Sequence, residues 1–216
     1  MTYRTLEILQ LNIYKQREVQ QSLLNDKGLK DYIALAISEP YARTIDGSVV
    51  TVPMGHYNWT KLIPTTRRDT AWPIRSMLWI RRDIEIEQIL VPSADLTAAQ
   101  IRLPDRVVLV VSVYVEGGSD EALEVVVREL GRLIRGFRDG TGTRTDIIVA
   151  GDFNRYDQLW GGDDVSPLRQ GERDLIINLM DEYSLCSLLP RGTKTWQSGD
   201  TESTIDLVLA SAELAD

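Results

Sequence analysis

Four places along this 216-residue chain carry acidic or amide side chains where an expected strand stops: Asn12, Glu39, the pair Asp152 and Asn154, and Asp206. Carboxylate and amide oxygens are the ligands a hard divalent cation prefers, and a fixed carboxylate can also orient a water for hydrolysis. Each position taken alone has a plainer reading. Asn12 and Asp152 suit Asx turns, and Glu39 before Pro40 suits a solvated loop. Asp206 resists that reading, because it interrupts Thr204-Ile205 and Leu207-Val208-Leu209. A carboxylate buried in such a run is costly unless it is paired or coordinating.

Alternation and helical spacing give the elements that would deliver these groups. Leu6 to Asn12 alternates with period two and reads as a half-buried strand ending at Asn12. Lys15 to Leu24 is rich in helix formers and stops at Asn25-Asp26-Lys27-Gly28. The apolar run Tyr32 to Ile37 ahead of Ser38-Glu39-Pro40 predicts a buried strand that carries Glu39 to its end. A long polar loop through Trp59 and Arg67-Arg68 is expected next, followed by strands over Ser76 to Ile80, Glu85 to Leu90 and Arg106 to Tyr114. The last is almost wholly Val and Leu, as a central strand would be. Ser119 is a suitable N-cap for a helix whose Leu123, Val127, Leu130, Ile134 and Phe137 recur down one face. Asp146 to Ala150 predicts another strand, breaking at Gly151-Asp152-Phe153-Asn154. A helix over Arg173 to Tyr183 and strands over Thr193 to Trp196 and Thr204 to Leu209 complete the pattern. Two face-to-face sheets with helices outside accommodate this order, and a three-layer α/β sheet does so too.

Composition narrows the class. A 43% hydrophobic content supports a real core in a single domain spanning residues 1–216, and no repeat or low-complexity seam divides it. The longest apolar stretch, Val107 to Val113, is strand-length, so no membrane span is expected. Met1-Thr2-Tyr3-Arg4-Thr5 lacks the features of a secretory signal, and an intracellular protein is expected. Cys186 has no second cysteine to pair with and reads as a small buried apolar group. The net charge of −8 argues against non-specific wrapping of DNA and makes any nucleic-acid contact local.

Taken in order, Leu11-Asn12, Glu39-Pro40, Val113-Tyr114, Val149-Ala150-Gly151-Asp152-Phe153-Asn154, Thr195-Trp196 and Ser203-Thr204-Ile205-Asp206-Leu207 resemble the endonuclease/exonuclease/phosphatase superfamily. The resemblance covers essentially the whole chain. Within that superfamily, Trp160-Gly161-Gly162-Asp163-Asp164 through Leu188-Leu189-Pro190-Arg191-Gly192-Thr193-Lys194-Thr195-Trp196 is similar to the apurinic-type endonuclease domain of fungal non-LTR retrotransposons. The resemblance implies a four-layered α/β sandwich, two mixed sheets between helices, with the site at one edge. It implies Mg²⁺ on Glu39 with help from Asn12, Mn²⁺ being equally acceptable to oxygen ligands. It implies that Asp152 and Asn154 align a water against phosphorus, that Tyr114 reaches the phosphate, and that Asp206 orients a histidine. The family pattern continues past a position like Ala210-Ser211 to a Ser-Asp-His segment that these 216 residues do not include. A core strand and turnover are expected to be lost with it. The one histidine, His56, lies far upstream in an expected loop, where a local structural role suits it better.

Arg67, Arg68, Arg75, Arg81-Arg82 and Lys194 are candidates for DNA backbone phosphates, Trp59 or Trp72 for stacking on a base, and Trp196 for the substrate-facing rim. Arg128, Arg132 and Arg135 sit among Glu124 and Glu129 and read as a solvated helix face. Three functions stay open at this point. One is a DNA endonuclease leaving a 3′-hydroxyl for a downstream reverse transcriptase domain, acting in the nucleus. The others are a phosphoesterase for small or lipid phosphates, and a remnant that binds metal or DNA without turnover.

Overall fold

The computed structural model describes residues 5–140, 144–166 and 174–215. The N-terminal Met1 to Arg4, Arg173 at the expected start of the last long helix, and Asp216 lie outside the described residues.

Two sheets face each other. The first runs in the order β1 (Ile8–Asn12), β2 (Ala34–Ser38), β6 (Ser76–Arg81), β5 (Trp59–Leu62), with β1 parallel to β2 and the rest antiparallel. The second runs β11 (Leu185–Ser187), β14 (Asp206–Ser211), β10 (Thr145–Asp152), β9 (Val107–Tyr114), β8 (Leu96–Arg102), β7 (Ile86–Ile89), with only β9 and β10 parallel. Two hairpins, β3 (Ala42–Ile45) with β4 (Ser48–Thr51) and β12 (Trp196–Ser198) with β13 (Thr201–Ser203), stand apart from the sheets.

Side-chain alternation explains the layering. Along β2, Leu35 and Ile37 point to a core shared with Leu24 of helix α1 (Arg17–Asn25), while Ala34 and Ala36 face the other sheet. Along β9, Val108 and Val110 meet those alanines from the opposite side. Leu109, Val111 and Val113 turn outward onto α2 (Asp120–Asp139) and α4 (Asp174–Tyr183). The order from outside to outside is therefore helix, sheet, sheet, helix, the four-layered sandwich expected. The small Ala99, Ala150 and Ala210 join Ala34 and Ala36 between the sheets. Helix α2 starts where expected, with the Ser119 hydroxyl accepting from the Ala122 N–H at 3.1 Å. Short helices α3 (Gln158–Gly161) and α5 (Ala212–Ala215), and a single 3-10 turn at Lys27–Leu29, complete the described elements.

Several expectations are corrected. The polar loop between Pro40 and Ile74 instead holds β3, β4 and β5. Asp46-Gly47, with φ of 48° and 74°, forms the tight hairpin turn that this dipeptide favours. Trp59 is only 5% exposed and packs under α1, so it cannot stack on DNA. Strand β8 was not expected, because Thr97-Ala98-Ala99-Gln100 offers little apolar signal; its small side chains suit the crowded layer between sheets. Helix α1 starts at Arg17 because Tyr14 and Lys15 adopt left-handed φ of 50° and 61°. Strand β14 starts at Asp206, so that carboxylate opens its strand instead of interrupting it. Cys186 is half-buried on β11, with its thiol directed at the Ala210 carbonyl. No helix among the described residues is long and apolar enough to cross a membrane.

Candidate active site

Register carries the expected residues to one edge of the sandwich. Asn12 pairs with Ser38 at the ends of β1 and β2, and Asp152 is flanked by Tyr114 on β9 and Asp206 on β14. Because β14 is antiparallel to β10, its first residue meets the last of β10. A seam of hydroxyls ties the sheets beneath this edge. Ser38 Oγ donates to the Val113 carbonyl at 2.9 Å and accepts from the Asp152 N–H at 3.2 Å, and the Ser76 and Thr97 hydroxyls bond at 2.8 Å.

The side chains then close on one another. Asn12 Nδ2 donates to Asp152 Oδ2 at 2.8 Å and to Glu39 Oε2 at 3.3 Å, so one amide bridges two carboxylates supplied by different sheets. The other Asp152 oxygen accepts the Asn154 N–H at 3.0 Å. Glu39 and Asn154 both sit in the left-handed region, at φ of 48° and 49°. That conformation is disfavoured for residues with a Cβ and is held here by the surrounding bonds. Asn154 Nδ2 is tied to the Val115 carbonyl at 2.9 Å. Asp206 Oδ1 accepts from Gln10 Nε2 at 2.6 Å, and its N–H donates to Thr195 Oγ1 at 3.1 Å.

Three carboxylates close together at a mostly buried edge repel. Burial pushes the Asp152 carboxyl up to about 7, with the Asp206 and Glu39 charges adding to the effect and the Asn12 and Asn154 hydrogen bonds opposing it. Burial also raises Asp206, against the bonds from Gln10 and Thr195. Tyr114 is pushed up to about 12 by burial and then by Glu39, so its hydroxyl stays a donor at neutral pH. The Arg75 guanidinium stacks 4.5 Å from the Tyr114 ring centre and works against that rise.

The Asp152 shift has a measurable consequence in metal-free protein. The folded-state value of about 7 lies above the ordinary 3.8. Below pH 4 both states hold the proton and no cost arises. As pH climbs towards 7 the unfolded chain releases the proton first, and stability falls until the folded carboxyl also ionises. Denaturant unfolding in chelator should therefore show the stability gap between Asp152→Asn and the parent chain widening from pH 4 to pH 8 by on the order of 2–4 kcal/mol. A gap that stays flat across that range contradicts the assignment.

The expected substrate-facing residues fall into different settings. Arg67 is exposed, with its guanidinium on the Gly47 carbonyl. Arg68 is half-buried and pairs with Asp95 at 3.0 Å and Glu116 at 3.6 Å. Arg75 is buried, binds both oxygens of Asp95 at 2.7 and 3.0 Å, and reaches Glu116 at 3.0 Å, so it lies behind Tyr114 and not on the surface. Arg81 pairs with Asp83, and Lys194 with Asp164. Trp196 lies half-exposed at the rim, and Trp72 lies half-buried beneath Arg43. His56 accepts from the Asn58 N–H at 3.2 Å and stacks on Tyr57, and makes no hydrogen bond to Asp206. On α2, Arg132 and Arg135 pair with Glu129 and Glu182.

Two neighbours of the cluster were not foreseen. Gln10 stands two residues before Asn12, on the same side of β1, and that spacing was the available signal. Lys15, read as the first residue of a helix, lies in the turn after β1 and pairs its ammonium with Glu39.

A divalent cation fits the chemistry of this donor set, which is all oxygen, carries excess negative charge and is bridged by one amide. Among the described residues no three His, Cys, Asp or Glu side chains form a ready-made cage. The fit is thus to a Mg²⁺-like ion that keeps waters and takes few protein ligands.

Residues 108–216 match the sequence family described as endonuclease-reverse transcriptase, a span of half the chain that includes Tyr114, Asp152, Asn154 and Asp206. No curated protein matches the chain significantly. Among solved structures, the fold is similar to the endonuclease domain of TRAS1, a telomere-specific non-LTR retrotransposon, at TM-score 0.72 and 17% identity, covering 96% of this chain and 86% of that one. It is similar to AP endonuclease LMAP from Leishmania major at TM-score 0.72 and 11% identity, covering 97% and 80%. The Xenopus laevis APE2 catalytic domain aligns at TM-score 0.72 and 12% identity, covering 96% and 83%. At these identities the likeness speaks for the fold, and the sequence match over β9 to β14 speaks for the lineage. The chain therefore belongs to the endonuclease-reverse transcriptase family, within the endonuclease/exonuclease/phosphatase superfamily.

Proposed function

We propose that this domain nicks one strand of DNA by Mg²⁺-assisted hydrolysis, leaving a 3′-hydroxyl that a reverse transcriptase domain in the full-length protein would extend in the nucleus. The observation that carries this reading is the Asn12 amide joining Glu39 and Asp152 beside Asp206 and Tyr114. Glu39 and Asn12 would hold the ion, with Mn²⁺ meeting the same requirement; when bound it supplies positive charge against the non-bridging phosphate oxygens.

The rest falls to the chain's own groups. Asp152, fixed at both oxygens, is suited as a carboxylate to take a proton from an attacking water. Asn154, with Nδ2 committed to Val115, offers Oδ1 to orient that water. The water oxygen bonds to phosphorus as the bond to the 3′-oxygen breaks, and the 3′-oxygen takes a proton from solvent, giving a 5′-phosphate and a 3′-hydroxyl. Tyr114 donates to a non-bridging oxygen, and Arg75 positions its ring. Arg67, Arg68 and Trp196 contact the flanking DNA. Asp206 is set to orient an imidazole, which none of these 216 residues supplies.

Nicking of supercoiled plasmid tests this. A chain continued through the family's Ser-Asp-His segment should produce nicked circles in Mg²⁺, roughly 100-fold or more faster than these 216 residues. Chelator should stop the reaction, and the nicks should prime DNA synthesis. A folded, continued chain that leaves DNA intact but hydrolyses small phosphoesters would overturn the proposal.

A further inference from the structure

The turn after β1 is built to hold one side chain in place. Tyr14 and Lys15 are consecutive left-handed residues, pinned by the Tyr14 N–H on Asn12 Oδ1 at 2.9 Å and the Lys15 N–H on the Glu39 carbonyl at 2.8 Å. The turn sets the Lys15 ammonium on Glu39 Oε1, with the lysine side chain 28% exposed and the glutamate 10%. The same ammonium lies 5.9 Å from the Trp72 ring centre, beside the Arg43 guanidinium 3.6 Å from that ring. Glu39 is thus already neutralised by a cation from its own chain. That cation ends a flexible four-carbon stem and has a partly open path outward along an aromatic face.

We infer that Lys15 is a placeholder cation: it occupies Glu39 until a divalent ion takes the carboxylate, and the released ammonium then pairs with the DNA phosphodiester at the same edge. The inference rests on the metal reading of Glu39 given above. An ammonium and a divalent ion cannot both neutralise one carboxylate at close range without repelling each other. Binding the ion alone must therefore work against the Lys15 pair. With DNA present the displaced charge gains a phosphate partner, so ion and DNA reinforce each other's binding. A lysine that only props up the turn would not link the two ligands in this way.

The test is a pair of measurements on the 216-residue chain. Titration calorimetry with Mg²⁺ alone should show Lys15→Met binding the ion roughly 3–10-fold tighter than the parent, and Lys15→Gln doing the same. Duplex DNA affinity in Mg²⁺, followed by anisotropy with a non-hydrolysable phosphorothioate linkage, should weaken several-fold in the same variants. Lys27→Met, which removes an equal charge from the exposed turn after α1, should change neither quantity. Opposite signs for the two ligands are the signature. If the parent binds Mg²⁺, Glu39→Gln does not, and Lys15→Met leaves the affinity unchanged or weaker, the placeholder role is overturned while the metal site stands. If the parent and Glu39→Gln are indistinguishable towards Mg²⁺, the metal reading falls and this inference with it.

Discussion

Asp152→Ala should lower plasmid nicking by roughly 1000-fold, the range expected when a positioned acid–base group is removed. The expectation follows from how completely that side chain is held. Its two oxygens take bonds from Asn12 and from the Asn154 N–H, and its own N–H donates to Ser38. Neither neighbouring carboxylate is free to take its place, because the Asp206 carboxylate is tied to Gln10 and that of Glu39 to Asn12. Folding should survive, since β10 is paired through its backbone to β9 and β14, and the substitution relieves repulsion with Asp206. The measurement is the initial nicking rate in Mg²⁺ on the continued chain, beside thermal unfolding and a Glu124→Ala control on the exposed side of α2. Activity within tenfold of the parent would falsify the role given to Asp152.

Gly151→Ala, one residue earlier, should do the opposite and act on the fold instead of the chemistry. A Cβ there would overlap the Val113 carbonyl oxygen and stand 2.7 Å from its carbon. Both belong to backbone, and neither strand can retreat. Strand β9 is held by β8 on its far side and β10 by β14, and the outer faces are packed under α2 and α4. The cost should exceed about 4 kcal/mol, beyond ordinary overpacking of a side chain. For a domain of this size that corresponds to a fall in melting temperature of about 10 °C or more. A variant melting within about 2 °C of the parent would mean the strands have more freedom than this contact allows. The glycine explains how Tyr114 and Asp152 come to stand side by side, since closeness of β9 and β10 at this point places both strand ends at one level.

The parts of the fold that a reader of the sequence can recover are those where one face dominates. The Val-rich β9, the Asp146–Ala150 run and the apolar stripe of α2 each announce a period, and the structure places them as central strands and an outer helix. Strand β8 carries no such signal, because its task is to be small between two sheets. The β3–β4 hairpin buries little beyond Ala42, Val49 and Thr51, and only its Asp46-Gly47 turn marks it. At the site, Asn12, Glu39, Asp152 and Asp206 stood out because polar residues at the ends of apolar strands are conspicuous, and the structure brings them to one edge. Gln10 and Lys15 did not stand out. An alternating strand is expected to show a polar residue at Gln10, and a lysine before a helical pattern is ordinary. Apart from the two-residue spacing of Gln10 from Asn12, their importance depends on register and on a left-handed turn. Arg75 stands among the expected DNA contacts, and the structure shows it buried on Asp95 and Glu116, partners from distant segments that no local pattern shows.

The bond from Gln10 to Asp206 spans 196 residues and that from Asn12 to Asp152 spans 140. During synthesis, β1 and β2 leave the ribosome while the strands that complete their edge do not yet exist, so a half-made chain has Glu39 without Asp152. Ala34, Ala36 and Ile80 likewise wait for the facing sheet before they are covered. Pairings of such long range form slowly, and the exposed sheet is a target for chaperones in the interval. The delay between first and last strand is therefore a period in which the first sheet is uncovered and vulnerable to aggregation.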